Sequence, residues 1–130
     1  MTGIGIDVVE VERLRRAVSA FPGFLDRVFT EEERRYSLSK PRPFEHLAAR
    51  FAAKEAAFKS LGSGWPHLSW HDVEVRSGDS GPQLRVRGRA GELAGPCSWM
   101  VSLAHDGGIA IAEVVRVDGT ASFGRDGRDG

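Results

Sequence analysis

Phe44-Glu45-His46-Leu47-Ala48-Ala49-Arg50-Phe51-Ala52-Ala53-Lys54-Glu55-Ala56-Ala57-Phe58-Lys59-Ser60-Leu61 is the stretch on which the fold turns. It predicts a helix that stops at Gly62, whose freedom to take positive φ makes it a good C-terminal cap. At about 100° per residue, Leu47, Phe51, Phe58 and Leu61 fall on one arc. Ala48, Ala49, Ala52, Ala53 and Ala56 form a second, flat face. Both faces need partners, so this is expected to be the central helix of the domain.

The flanking segments supply those partners. Upstream, Gly3-Ile4-Gly5-Ile6-Asp7-Val8-Val9 alternates glycine with β-branched residues, which predicts a strand whose glycines admit a close neighbour. From Glu10 the period changes. Val11, Leu14 and Val18 recur at helical spacing, with Glu10, Glu12, Arg13, Arg15 and Arg16 opposite, until Phe21-Pro22-Gly23 ends the helix. Thr30 followed by Glu33 is a capping-box signature, so a short helix should begin at Glu31 and stop before Pro41-Arg42-Pro43. Downstream of Gly62-Ser63-Gly64-Trp65-Pro66 the chain turns β-rich. Val73 to Arg76 and Leu84 to Arg87 read as a hairpin around the Ser77–Gly81 turn. Trp99 to Leu103 and Ile109 to Val117 read as two further strands joined through His105-Asp106-Gly107-Gly108. Helices with antiparallel strands give an α+β domain.

The 130 residues, 41% hydrophobic, are enough for one core. Lys plus Arg and Asp plus Glu both number 18, so no global charge draws the chain to nucleic acid or to an anionic membrane. No apolar run approaches the roughly 18 residues of a membrane span, and the start lacks a signal peptide's pattern, so the expectation is a cytoplasmic protein. Cys97 is the single cysteine and reads as a structural thiol. The domain is expected to occupy residues 1–117. Residues 118–130 hold four glycines and one large apolar side chain, and read as a disordered tail.

Some charges are poorly explained by solvation. Glu55 emerges between Phe51 and Phe58 on a helix that is apolar or small almost all round. A carboxylate withdrawn from water needs a cation nearby. A salt bridge to Lys54, Lys59 or Arg50 would supply one; equally, those three bases on the flanks of Glu55 suit a metal with phosphates. Asp7 is the second carboxylate. Either Asp7 or Glu10 caps the helix that follows, or Asp7 meets Glu55. In the second case the pair repels unless one acid is protonated or a cation lies between them, and magnesium is the natural cation for one or two carboxylates plus substrate phosphates. His105, just before a tight turn, is either a structural residue of the strand end or a third member of the site. A full dinucleotide fingerprint, a phosphate-binding P-loop and a G-x-S-x-G element are all absent.

Three segments together resemble the holo-acyl-carrier-protein synthase group of 4′-phosphopantetheinyl transferases. They are Gly3-Ile4-Gly5-Ile6-Asp7-Val8-Val9-Glu10-Val11-Glu12-Arg13, Arg50-Phe51-Ala52-Ala53-Lys54-Glu55-Ala56-Ala57-Phe58-Lys59-Ser60-Leu61-Gly62, and Val101-Ser102-Leu103-Ala104-His105-Asp106. The resemblance covers about residues 3–117 and implies that family's fold, a long central helix packed on a small antiparallel sheet. It also implies a site. Asp7 and Glu55 would hold Mg2+ with the coenzyme A pyrophosphate, while Arg50, Lys54, Lys59 and Gly62 would surround the coenzyme A phosphates. His105 would lie near the same place. Arg13, Arg15 and Arg16 would receive an acyl carrier protein, and the assembly would be a homotrimer with each site between neighbouring subunits. Ile6 departs from the family's frequent threonine, Ala104 from its usual serine, and Ala17, Ala20 and Gly23 from its basic docking helix.

The implied reaction is attack by a carrier serine on the β-phosphate of coenzyme A, expelling 3′,5′-ADP. Lys54 and Lys59 would stabilise the departing phosphate, and Lys59 is counted with Glu55 and His105 as catalytic. Glu55 is the first choice for the group that takes the serine proton, and His105 competes with it. A noncatalytic module that binds coenzyme A or a carrier, and a magnesium-dependent phosphohydrolase, are the alternatives.

Overall fold

The first strand and the central helix touch through backbone. In the computed structural model, which describes residues 2–62 and 68–119, β1 (Gly3–Glu10) lies along α4 (Pro43–Ser60). A Cβ built on Gly5 would fall 1.9 Å from the carbonyl oxygen of Ala56, and one on Gly3 would fall 2.1 Å from that of Ser60. Only glycine fits there. The alanine face of α4 completes the contact: Ala48, Ala52, Ala53, Ala56 and Ala57 are fully buried, packed with Ala110, Ala112 and Val114 of the sheet. Because the obstructing atoms are main chain and cannot swing away, Gly5→Ala is expected to lower stability by about 3 kcal/mol or more. Denaturant unfolding of the variant checks this.

Around that contact the elements follow in order. α1 (Val11–Ala20), α2 (Phe24–Val28) and α3 (Glu31–Leu38) precede α4, and a 3-10 turn (Trp70–Asp72), β2 (Val73–Gly78), β3 (Gly81–Val86), α5 (Gly88–Ala94), β4 (Cys97–Asp106) and β5 (Ile109–Asp118) follow it. One antiparallel sheet has the order β1-β5-β4, and β2-β3 form a separate hairpin. The capping box at Thr30 and Glu33 is formed in both directions and starts α3 at Glu31. α4 begins with Pro43 in its first turn, where the missing N–H is no loss, and ends at Ser60. Gly62 then takes φ 96° and donates its N–H to Lys59 O. β4 and β5 run longer than expected, to a two-residue reversal at Gly107-Gly108, both at positive φ.

Two helices were not expected. α2 is a little over one turn long, too short to show a period. α5 carries glycines and has no side-chain cap at its own N-terminus. The Asp72 carboxylate, from the 3-10 turn, accepts the Ala90 N–H at 3.2 Å instead, a cap delivered from elsewhere in the chain. β5 continues through Asp118, just past the expected boundary, and residues 120–130 lie outside the described residues, as does most of the loop after Gly62. Among the described residues, no helix is long and apolar enough to cross a membrane.

The outer face of the sheet is apolar and uncovered within the chain. Ile4, Ile6 and Val8 of β1 are 63%, 56% and 57% exposed, and Met100 and Ile111 continue the patch across the neighbouring strands.

Candidate active site

Strand alternation sends Asp7 to the same side as Gly3, Gly5 and Val9, toward α4. It is the first side chain beyond the glycines large enough to reach the helix. Glu55 and Lys59, one turn apart, stand opposite it. Lys59 Nζ lies 2.9 Å from Asp7 Oδ1 and 3.1 Å from the main-chain oxygen of Ile6, with Asp7 mostly buried and Lys59 largely in solvent. Asp7 Oδ2 is buried with no hydrogen-bond partner. Burial pushes the Glu55 carboxyl up from 4.5 to about 7, the adjacent Asp7 carboxylate adds to the shift, and Lys59 and Arg13 oppose it. The two acids meet, as the resemblance implied.

A proton on Glu55 can serve the orphaned Asp7 oxygen, and a divalent cation can do the same for both acids at once. The donor set therefore fits magnesium, which takes hard oxygens and fills its other positions with phosphate and water. Among the described residues no three or more His, Cys, Asp or Glu are placed to hold a metal ion by themselves, so a cation here leaves most of its coordination to substrate and water. The helix-cap alternative fails: Glu10 is the N-cap of α1 without a side-chain bond, and Asp7 points at Lys59. The cleft beside the acids is about 590 Å³, with Arg13 and Glu10 on its polar side and Leu14, Phe24 and Phe51 forming an apolar wall.

Without metal, Glu55 binds its proton more tightly in the folded chain than in the unfolded one. Its stabilising contribution is complete below about 4.5 and is lost as pH rises through about 7. The melting temperature of the metal-free chain is thus expected to fall from pH 5 to pH 8 relative to that of Glu55→Gln, and saturating Mg2+, which binds the ionised pair of the folded chain, should reverse that trend. Scanning calorimetry at the two pH values checks both statements.

The bases sort differently from the expectation. Arg50 is five residues, or about 140° of helix, away from Glu55. Its buried guanidinium donates to Ser77 Oγ (2.6 Å) and His46 O (3.3 Å) and lies 4.3 Å from the centre of the Tyr36 ring, and its Nε has no partner. His105 belongs with this group: its ring is 6.2 Å from His46, and its Nδ1 is 3.5 Å from Glu45 Oε1. Tyr36, His46, Arg50, Ser77 and His105 line a separate cavity of about 300 Å³. Burial, then the Arg50 charge, hold His46 below its ordinary value. The Ser77 hydrogen bond, then Lys40 and Arg50, lower Tyr36 despite the opposing effect of burial. Within one chain, then, Arg50 and His105 do not share the Asp7–Glu55 cleft. Tyr36, His46 and Ser77 escaped the sequence reading, although His46 precedes Arg50 by one helical turn and so had to share its face.

Lys54 requires a correction. It does not face a phosphate, because its side chain is fully buried and its Nζ is 2.8 Å from Glu33 Oε1. Among the described residues none of Arg50, Lys54 and Lys59 forms an ion pair with Glu55, so the salt-bridge reading of Glu55 fails as well. Of the three arginines of α1, Arg13 enters the cleft, Arg15 pairs with Glu12 at 3.2 Å and lies over Phe44, and Arg16 is exposed.

The sequence model of the 4′-phosphopantetheinyl transferase superfamily matches residues 3–112. This chain belongs to that family. A holo-[acyl-carrier-protein] synthase from Salinispora arenicola is 50% identical over 88% of this chain and 97% of its own length. One from Frankia alni is 49% identical over 88% and 96%. Among solved structures, the Chronobacterium ammoniagenes ACPS-CoA complex superposes with TM-score 0.80 at 27% identity, covering 91% of this chain and 98% of the other. The Bacillus anthracis holo-(acyl-carrier-protein) synthase in complex with CoA (3′,5′-ADP) gives 0.75 at 34% identity, covering 89% and 96%. The chain is thus an enzyme of the phosphopantetheinyl transferase class, and the fold implied by its motifs is the fold it has.

Proposed function

We propose that this enzyme transfers the 4′-phosphopantetheine arm of coenzyme A to a serine hydroxyl of an acyl carrier protein, with Mg2+, in the cytoplasm. The observation that carries the reading is the Asp7–Glu55 pair, in which one buried carboxylate oxygen lacks a partner while the neighbouring acid is held near neutrality. The family assignment and the relatives' shared activity support it.

The serine oxygen forms a bond to the β-phosphorus of coenzyme A, and the bond from that phosphorus to the oxygen bridging to the α-phosphate breaks. The products are the modified carrier and 3′,5′-ADP, the nucleotide named with the Bacillus anthracis structure. Magnesium, when bound, supplies charge neutralisation to the pyrophosphate oxygens. Lys59 orients Asp7 through Oδ1, and its exposed ammonium is free to follow a phosphate oxygen as charge develops. Glu55 accepts the serine proton, directly or through a water. Arg13 and Arg16 on α1 receive the carrier, with Arg15 less available. Gly62, left-handed at the end of α4, leaves the main chain open to phosphate.

We assign Arg50 and His105 to the site of a neighbouring subunit. They line a cavity on another side of α4, and the uncovered Ile4, Ile6 and Val8 face gives identical copies a surface on which to close into a trimer. Each site would then join Asp7, Glu55 and Lys59 of one chain to Arg50 and His105 of the next.

Mass spectrometry of an apo-carrier incubated with enzyme, coenzyme A and Mg2+ tests the function. A gain of one phosphopantetheine on the carrier supports transfer. Free phosphopantetheine with an unmodified carrier would make the protein a phosphohydrolase, and no product at all would make it a binding module.

A further inference from the structure

Lys54 precedes Glu55 by one residue, so its side chain leaves α4 about 100° away and enters the core. The buried ammonium has three donors and three acceptors: Glu33 Oε1 at 2.8 Å, Trp70 O at 3.0 Å, and Val73 O. Glu33 is satisfied in turn by the main-chain N–H groups of Thr30 (2.9 Å) and Val75 (2.7 Å). This knot ties α4 to the start of α3, to the 3-10 turn and to β2. The turn carries Trp70, whose ring centre lies 5.1 Å from that of Phe51 and 5.6 Å from that of Phe58. Those two rings stand four residues before Glu55 and three after it, and Phe51 also lines the cleft that holds Asp7 and Glu55.

We propose that Lys54, neutralised by Glu33, is a positioning residue for the transfer reaction: it holds the carbonyl of Trp70 so that the Trp70–Phe51–Phe58 wall aims Glu55 at Asp7, and it touches no substrate. A buried ion pair is a poor source of stability, since apolar replacements often serve as well, so its presence here calls for another role. Fixing the direction of a neighbouring catalytic group is such a role, because small misplacements slow chemistry without weakening binding. The proposal rests on the transferase reading above.

The test uses full-length enzyme with carrier, coenzyme A and Mg2+. In the double variant Lys54→Met/Glu33→Gln both charges of the pair are removed together, while the buried Glu74 keeps the hydrogen bond from Thr30 Oγ1. The variant is expected to stay folded, with kcat lowered on the order of 10- to 100-fold and with the dissociation constant for coenzyme A, from titration calorimetry, within about twofold of native. Trp70→Ala keeps the ion pair but removes the wall, and should reproduce the kcat loss and the unchanged affinity. Near-UV circular dichroism should report the altered Trp70 environment in the double variant. Native kcat in Trp70→Ala, or in a folded double variant, would overturn the proposal, as would a loss of coenzyme A affinity of about tenfold or more, which marks a phosphate ligand. Should the double variant fail to fold, Trp70→Ala decides alone. Failure of the native chain to modify the carrier would instead overturn the transferase reading, and this inference with it.

Discussion

Glu55→Gln is expected to lower the transfer rate by about 10³-fold or more while leaving the fold intact. Glutamine keeps the size and one acceptor oxygen of glutamate but cannot take a proton or carry charge to a cation. The site loses its proton acceptor and half of its carboxylate pair in one change. The same change ends the repulsion between Asp7 and Glu55, so the metal-free variant should melt no lower than the native chain at pH 8. Loss of activity together with retained stability is the informative result. A stopped-flow or mass-spectrometric rate alongside a melting curve measures both, and unchanged turnover would reject the role given to Glu55.

The second large effect is recovery rather than loss. Arg50→Ala and Glu55→Gln should each be nearly inactive alone. Co-expressed and isolated as mixed trimers, they are expected to regain roughly one native site in three, because in a closed ring of three that holds both variants one junction pairs an intact Glu55 side with an intact Arg50 side. Recovery follows only if a site draws Arg50 from a different chain than Glu55. If the mixture is as inactive as its components although the two chains co-purify in one oligomer, each site is built within a single chain. Activity of co-expressed variants bearing different affinity tags, purified in tandem, supplies the measurement.

Most of the framework was legible because short-range rules fix it. Thr30 and Glu33 announce a helix start within four residues, the alanines of α4 announce a face that another layer must cover closely, and the glycines of β1 announce which strand does so. The Asp7–Glu55 meeting was implied by the family resemblance, while the residues alone left Asp7 open as a helix cap. Lys54 was misread because helix spacing places it beside Glu55 in sequence without saying which way the core lies. Its partner Glu33 was legible only as a capping residue, though its second oxygen bonds the N–H of Val75, 42 positions later. The separation of Arg50 from Glu55 was readable in the spacing of α4, about 140° round the helix, whereas His105 lies on β4 and its place beside His46 and Glu45 is a tertiary contact. α5 depends on Asp72, a cap that no window of its own sequence contains.

Where strand and helix lie main chain to main chain, at Gly3 against Ser60 and Gly5 against Ala56, no rotamer stands between them to absorb a change elsewhere. The gap that the two acids span is therefore ruled by peptide groups, much as the jaw width of a vice is ruled by its frame. Drift in the outlying β2-β3 hairpin or in α1 therefore leaves the distance between Asp7 and Glu55 at its gauge.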